Sequence, residues 1–255
     1  TGQVTIHWSE QRAGGASGQL VLPISALALS AVGSGTVLAW DTAAGNGTNI
    51  SEGIGGWQTG AGNWNNNGSD QSWINGNKAV FGGGTSGNAG TVTLNGNVVP
   101  TQLTFSPPAA GNYTIDLASY DLTTANSTDA VEVIGGTSAT IKATGGGRLA
   151  IPYSGIAWNF TLAGSLAIDA PVTGPGVVFA AGAGNLNLTH PANDFTGIFG
   201  KQNGGDLAFS SIAASGLASA AGAGGDVRIG YNARAVYTGD GDWTNRTFNL
   251  FGDSN

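Results

Sequence analysis

The feature that most constrains the fold is a pattern of short alternating stretches separated by glycine in the C-terminal half of the chain. Residues 185–189 and 206–210 alternate apolar and polar side chains, so that Leu186 and Leu188 share one face of a strand. An Asn-x-Phe-Thr-Gly sequence at Asn193–Gly197 lies between them, with several glycines that tolerate the backbone angles of sharp turns. The pattern therefore predicts one coil of a repetitive all-β fold.

Similar strands recur from Thr91 onward, with three strands in each coil of about 25–30 residues, which is the period expected of a parallel β-solenoid. We therefore predict an all-β fold, a right-handed parallel β-helix (β-solenoid) with Gly/Asn-rich turns and stacked coils. The side chains predicted to face inward are Leu103, Phe105, Ile115, Leu162, Leu166, Ile168, Leu186, Leu188 and Leu207.

Composition supports this class and excludes others. Glycine provides 45 of 255 residues without a collagen-like period, and 40% of residues are apolar, which argues against disorder. The net charge of −7, with only eight Lys and Arg, argues against a nucleic-acid partner. There is no cysteine, so disulfides and thiolate metal sites are excluded. The absence of Met at position 1 is expected of a processed or shortened product.

The repeat resembles the autotransporter-associated β-strand repeat, a unit of bacterial extracellular β-solenoid proteins. The residues that carry this resemblance are Gly184, Leu186, Leu188, Asn193, Phe195, Thr196, Gly197, Gly205 and Leu207. Two features depart from the family pattern: Pro191 stands in the turn, and Ile198-Phe199-Gly200 replaces the usual Thr-x-Val strand, so this middle strand is expected to bend. The resemblance implies an extracellular or bacterial cell-surface location.

Residues 40–90 are predicted to form a Trp-rich N-terminal cap, followed by solenoid coils over 91–255. The cap also resembles the family, which has the same order of Trp-Asp, Gly-x-Trp, Asn-Trp and Ala-Val-Phe. Two interpretations of Trp57, Trp64 and Trp73 stay open. They plug the end of the solenoid, or they form an exposed platform on which sugar rings stack.

Residues 1–39 are predicted to be an N-terminal extension made of edge strands with a flexible joint at 13–18. The apolar run over 20–32 is similar to a signal-peptide centre. However, it lacks a basic flank and is shorter than the ~20 residues that span a bilayer. We therefore predict no membrane span in this chain.

Neither end of the predicted solenoid carries the usual blocks against strand pairing, which predicts head-to-tail contacts with other copies. The alternatives are that residues 1–39 fold back as a cap, and that the natural protein continues past Asn255. The predicted assembly residues are Val4, Ile6, Trp8, Leu20, Leu22, Ile24, Phe248 and Leu250.

No constellation of residues predicts catalysis. The carboxylates are scattered, whereas a glycosidase needs two of them about 5–10 Å apart across a cleft. Gly239–Asp242 has two acidic residues of a calcium-loop pattern but lacks the rest, so a tight turn is predicted. We predict no catalytic, cofactor or metal site.

The sequence thus predicts a non-enzymatic extracellular structural protein, such as a stalk, an adhesin or a filament subunit, that self-assembles through its coil ends. The alternative is a carbohydrate-active β-helix that binds or cleaves a polysaccharide.

Overall fold

The computed structural model describes residues 35–125, 128–154 and 159–252, which belong to one compact unit. These residues form short strands joined by turns, and no helix occurs among them. In chain order the strands are β1 (Val37–Trp40), β2 (Ser51–Glu52), β3 (Gly55–Trp57), β4 (Trp64–Asn66), β5 (Ser69–Gln71), β6 (Lys78–Phe81), β7 (Ser86–Gly87), β8 (Thr91–Leu94), β9 (Gln102–Phe105), β10 (Tyr113–Asp116), β11 (Leu122–Thr123), β12 (Val131–Val133), β13 (Ser138–Lys142), β14 (Leu149–Ala150), β15 (Phe160–Leu162), β16 (Ser165–Asp169), β17 (Val172–Thr173), β18 (Val178–Ala181), β19 (Leu186–Leu188), β20 (Phe199–Gln202), β21 (Asp206–Phe209), β22 (Asp226–Gly230), β23 (Arg234–Tyr237) and β24 (Thr247–Phe251).

The strands form two long sheets and two small ones within the described part of the chain. Sheet I has eleven strands in the order β24-β22-β20-β18-β15-β12-β9-β6-β1-β4-β5, and sheet II has eight in the order β23-β21-β19-β16-β13-β10-β8-β3. Sheet III holds β11, β14 and β17, and β2 pairs with β7. Except where β1, β4 and β5 pair, neighbouring strands run parallel, and the chain visits sheets I and II in alternation. This is a parallel β-helix, so the predicted fold class is confirmed.

The coils vary in length, as the register of sheet I shows. Val131 pairs with Phe160, so this coil is 29 residues long (160 − 131). Phe160 pairs with Ala180, so the next coil is only 20 residues long (180 − 160). Several coils are therefore shorter than the predicted period. Phe199 and Gly200 lie on β20, which pairs in regular parallel register with both β18 and β22, so the strand expected to bend at this departure from the family pattern forms an ordinary rung.

Inward side chains from stacked coils form one continuous core. Ile168, Leu188 and Phe209 occupy successive rungs of sheet II, and all three are buried. All nine side chains predicted to face inward are buried, which confirms the register that the alternation indicated. A slip of one residue would have exposed them, because it exchanges the two faces of a strand.

Glycine occupies the turns where one coil lies directly on the next. A Cβ atom at Gly184 would lie 1.8 Å from the carbonyl oxygen of Gly164, and one at Gly205 would lie 2.0 Å from that of Gly184. Real Cβ contacts are never so short, so these coils pack this closely only with glycine at the corner. The recurrence of glycine in the sequence reflects this stacking.

Candidate interaction surfaces and buried polar groups

The tryptophans of the N-terminal unit form a buried plug. Trp40, Trp57, Trp64 and Trp73 are each 0% exposed, and their ring centroids lie 4.8–5.4 Å apart in the Trp64–Trp73, Trp57–Trp73, Trp40–Trp64 and Trp57–Trp64 pairs. Trp40 and Trp73 donate their indole N–H groups to the Gly53 carbonyl and the Asn75 side chain. Stacking on sugars requires an exposed ring face, so the prediction of a sugar-stacking platform at Trp57, Trp64 and Trp73 is not supported.

A buried acid holds the loops beside this plug. The Tyr113 hydroxyl donates a hydrogen bond to one carboxylate oxygen of Glu52, and the other oxygen accepts one from the Gly84 N–H at 2.7 Å. Burial, together with the adjacent Glu52 carboxylate, raises the pKa of Tyr113. Glu52 lies on β2 and Tyr113 lies on β10, so the pair links the cap to sheet II.

The N-terminal end of sheet I is covered, which differs from the prediction that both ends are open. β4 runs antiparallel to β1 and turns back into β5, so the hairpin forms the last two strands of the sheet. The three residues of β5, Ser69, Asp70 and Gln71, are all exposed and polar. A short polar strand with a charge is a common protection against edge-to-edge pairing. Val37–Trp40, which spans the predicted boundary between extension and cap, forms the strand beneath this hairpin.

The opposite end of sheet I has the reverse character. β24 is its outermost strand in the described part of the chain, and its Phe248 and Leu250 side chains are 46% and 78% exposed. Trp243, in the segment that leads into β24, is 73% exposed. The predicted assembly residues Phe248 and Leu250 thus lie on the last described strand of sheet I, in register with the buried Val227 and Ile229. The others, Val4, Ile6, Trp8, Leu20, Leu22 and Ile24, lie outside the described residues.

The outer face of sheet II carries an uncharged row that crosses six coils. Paired registers align Thr91, Thr114, Thr140, Ala167, Asn187 and Ala208, all of them half-buried. Charge lies along the margin of this sheet, where Arg234 pairs with Asp206 at 2.7 Å and Thr189 donates to Asp169 at 2.8 Å. The centre of the sheet therefore presents a regular surface of hydroxyls, methyls and one amide.

Several acidic residues take part in structural hydrogen bonds and ion pairs. Asp116 accepts from the N–H groups of Ala118 and Thr144 and from the Thr144 hydroxyl. Burial alone would raise the pKa of Asp116, but these hydrogen bonds lower it. Asp121 pairs with Arg148, and Asp242 accepts from the Ile212 N–H at 2.8 Å. Among the described residues, no group of three or more His, Asp or Glu side chains is arranged to hold a metal ion.

A lysine occupies the core, which the sequence reasoning missed. Lys201 is 0% exposed, and its register partners Ala180 and Ile229 lie on the same inward row. Its ammonium donates to the Gly182 carbonyl at 2.6 Å. Burial lowers the pKa of Lys201 to about 8, although the carboxylate of Asp206 acts in the opposite direction. The sequence held one signal for the burial of Lys201. This residue lies two positions after Phe199, so alternation along a strand places both side chains on the same face of β20.

An arginine organises the loop over residues 211–225, called here the long loop. The guanidinium of Arg246 donates to the carbonyl oxygens of Ala213 at 2.9 Å, Ala221 at 2.7 Å and Gly222 at 2.6 Å. Arg246 is nearly inaccessible, and burial lowers its pKa. The loop is not helical, and it folds around this side chain, which comes from the segment that leads into β24. Local sequence gives no signal for such a contact.

Comparison with known proteins gives one informative relative. No family model matches the chain, and no solved structure matches it. The chain is similar to the adhesin BmaC autotransporter of Brucella suis biovar 1 (strain 1330), with 32% identity over an alignment of 294 positions. The alignment covers 87% of this chain, which spans only 8% of the length of that adhesin. The parallel all-β fold is consistent with this similarity, and no family model identifies the kind of repeat.

A search for membrane-spanning helices found none of sufficient length and hydropathy in the described part of the chain.

Proposed function

We propose that this chain is a non-enzymatic, adhesin-like part of a bacterial surface protein, whose β-helix presents sheet II as a contact surface outside the cell. The observation that carries the proposal is the uncharged outer row of sheet II, which continues in register from Thr91 to Ala208. The similarity to an autotransporter adhesin supports both the surface location and the adhesive role.

The physical basis is that a parallel sheet holds its outward groups at a regular spacing of roughly 4.8 Å between strands. A partner that lies across several rungs then meets preordered hydroxyl and methyl groups, so binding costs little side-chain entropy. The scarcity of charge in this row favours a neutral partner. Extracellular polysaccharide and a protein-coated host surface both provide such chemistry.

The proposal is tested by adhesion of beads that carry the purified chain. The beads are applied to cultured mammalian cells and to immobilised polysaccharide, and the bound fraction is counted against beads that carry unfolded chain. A double variant, Thr114→Lys with Thr140→Lys, places two charges in the row and is expected to reduce adhesion several-fold. The matched control, Thr104→Lys with Thr161→Lys, places the same charges on the outer face of sheet I.

Equal adhesion by the two double variants would show that sheet II is not the contact surface. Adhesion no higher than that of the unfolded chain would show that this part of the molecule is not adhesive.

A role in self-association forms the second part of the proposal, with a second copy of the chain as the partner. The exposed Phe248 and Leu250 side chains of the last described strand agree with it, whereas the polar hairpin β4–β5 at the other end of sheet I argues against head-to-tail stacking through that sheet. Whether residues 1–39 contribute, by capping their own solenoid or by reaching a neighbour, stays a prediction.

A further inference from the structure

The outer face of sheet I carries a shallow groove across the strands β18, β20, β22 and β24. Its volume is about 420 Å³, within the range of roughly 300–1,000 Å³ that is usual for ligand sites. Since Lys201 and Ile229 face the core, the neighbouring side chains of Gln202 and Arg228 project outward into this groove. The residues that line it are Phe179, Ile198, Gln202, Arg228, Asn249 and Phe251.

Two outward-facing glycines on neighbouring rungs make room for the groove. Gly200 is the register partner of both Phe179 and Arg228, and Gly230 is the partner of Phe251. A Cβ atom at Gly200 would lie 2.6 Å from the Phe179 ring, and one at Gly230 would lie 2.3 Å from the Phe251 ring. Each ring therefore lies over the backbone of its glycine partner. The two phenylalanines are three rungs apart, roughly 14 Å at the strand spacing of a sheet, and the strand that carries Arg228 lies between them.

The guanidinium of Arg228 is the least engaged among the arginines that the structure describes. Arg148 and Arg234 each donate two hydrogen bonds to an aspartate, and Arg246 is enclosed by carbonyl oxygens. Arg228 donates once, to Asp226 at 3.3 Å, and its side chain is 34% exposed. A guanidinium has five N–H donors, so most of those of Arg228 have no partner within the described part of the chain. These donors are available to an oxygen ligand.

The groups around the guanidinium indicate the class of that ligand. A carboxylate accepts two parallel hydrogen bonds from a guanidinium such as that of Arg228. The amides of Gln202 and Asn249 both donate and accept, which suits the hydroxyl groups of a sugar. Ile198 and Phe251, both half-buried, offer apolar contact to the C–H face of a sugar ring. The net charge of −7 disfavours a ligand with many carboxylates, such as an acidic peptide.

We propose that this groove binds a single acidic sugar unit of an extracellular glycan, with the carboxylate on Arg228 and the hydroxyl groups on Gln202 and Asn249. Gln202 and Arg228 lie on β20 and β22, each of which has a neighbouring strand on both sides. The groove opens on the outer face of the sheet, at right angles to the direction in which the coils stack. The inference goes beyond the proposed function, because it concerns sheet I and a charged ligand, whereas the row proposed for adhesion lies on sheet II and is uncharged.

Nuclear magnetic resonance of the isotope-labelled chain tests the site, with the side-chain N–H groups of Arg228 and Gln202 as reporters. The probe is glucuronate, and glucose and acetate are its uncharged and sugar-free counterparts. Glucuronate is expected to shift both reporters with a dissociation constant on the order of 1 mM, as is usual for a ligand of this size. Glucose and acetate are each expected to bind at least roughly tenfold more weakly, because each lacks one part of the recognised group.

The ion pair with Asp226 gives the sharpest test. Asp226 competes with the ligand carboxylate for the guanidinium, so Asp226→Asn is expected to lower the dissociation constant of glucuronate about threefold or more. Asp121→Asn removes the same charge from the partner of Arg148, beside sheet III, and is expected to leave that constant unchanged. Arg228→Gln, followed through the Gln202 amide, is expected to raise it at least roughly tenfold.

A second pair of variants tests the amide. Gln202→Glu places a like charge beside the ligand carboxylate and is expected to raise the dissociation constant at least roughly fivefold, read from the Arg228 side chain. Gln102→Glu makes the same change on the outward face of β9 and is expected to have no effect. Circular dichroism that matches the natural chain shows that each variant is folded.

The absence of glucuronate binding, or equal effects of Asp226→Asn and Asp121→Asn, overturns the proposal. Acetate that binds as tightly as glucuronate overturns the assignment to a sugar, and glucose that does so overturns the role of the guanidinium. A short aspartate peptide that binds more tightly than glucuronate assigns the groove to a protein ligand instead. The double variant Thr114→Lys with Thr140→Lys is expected to bind glucuronate as the natural chain does, so a failure of adhesion by sheet II and a failure of this site are observed separately.

Discussion

Lys201→Met removes the charge from the core of the C-terminal coils, and its effect on stability is expected to depend on pH. The pKa of Lys201 is lowered from its ordinary value of 10.5 to about 8 by burial. Below pH 8 the ammonium is charged in both the folded and the unfolded chain, so folding must desolvate it. Above pH 10.5 the amine is neutral in both states and this cost disappears.

The magnitude follows from the shift. A change of one pKa unit corresponds to about 1.4 kcal/mol, so the shift of Lys201 corresponds to about 3 kcal/mol. Methionine has a similar length and no charge, but it leaves the Gly182 carbonyl without the ammonium donor, which costs about 1–2 kcal/mol. At neutral pH the variant should therefore be more stable than the natural chain by about 1–2 kcal/mol. Near pH 10.5 this advantage should be lost or reversed.

The measurement is urea unfolding of both chains, followed by circular dichroism and by hydrogen exchange of β18, β20 and β22. The local readout matters because the coils of a solenoid open separately. Subtracting the two chains cancels the pH effects that both chains share. Lys78→Met, on the outward row of sheet I, is the control and should show no such pH dependence. A stability difference between Lys201→Met and the natural chain that stays constant from neutral pH to pH 10.5 would refute the reasoning.

Three further predictions concern other parts of the fold. Leu188→Ala should lower the free energy of unfolding by roughly 2–5 kcal/mol, whereas the outward Asn187→Ala should change it by less than about 0.5 kcal/mol in the same urea titration. Arg246→Lys cannot reach all the carbonyls of the long loop, so hydrogen exchange there should accelerate about tenfold, with no such change in Arg228→Lys. Asp116→Asn should be less stable than the natural chain at neutral pH, because the lowered pKa means that the folded state favours the carboxylate. That difference should shrink as pH falls through the pKa of Asp116, below its ordinary value of 3.8, and a constant difference would contradict the assignment.

The sequence predicted the stacked coils because their inward residues alternate without interruption. Leu186, Leu188 and Leu207 are spaced two residues apart or one coil apart, and burial on one face is the only arrangement that satisfies all three. Of the two interpretations of Trp57, Trp64 and Trp73, the resemblance favoured the buried plug, because the order of Trp-Asp, Gly-x-Trp, Asn-Trp and Ala-Val-Phe is that of the family's N-terminal unit.

The sequence did not predict the hairpin β4–β5 or the two buried cations. The stretch between Trp64 and Gln71 lacks apolar alternation, but it does hold a local signal, because Asn67-Gly68, both with positive φ, form the two-residue turn between Asn66 and Ser69. Lys201 and Arg246 are polar residues whose ordinary place is the surface. Their burial depends on acceptors contributed by Gly182 and by the long loop, and contacts between coils have no local signature.

The two ends of sheet I also differ in where the chain places its charge. At the β5 end, Asp70 lies on the exposed edge and accepts a hydrogen bond from the Gly45 N–H at 2.9 Å. A charge on an edge strand discourages pairing. At the β24 end, the nearby charge of Arg246 is turned inward onto carbonyl groups. Arg246 thus stabilises the long loop through its buried hydrogen bonds and contributes no charge to the surface of β24.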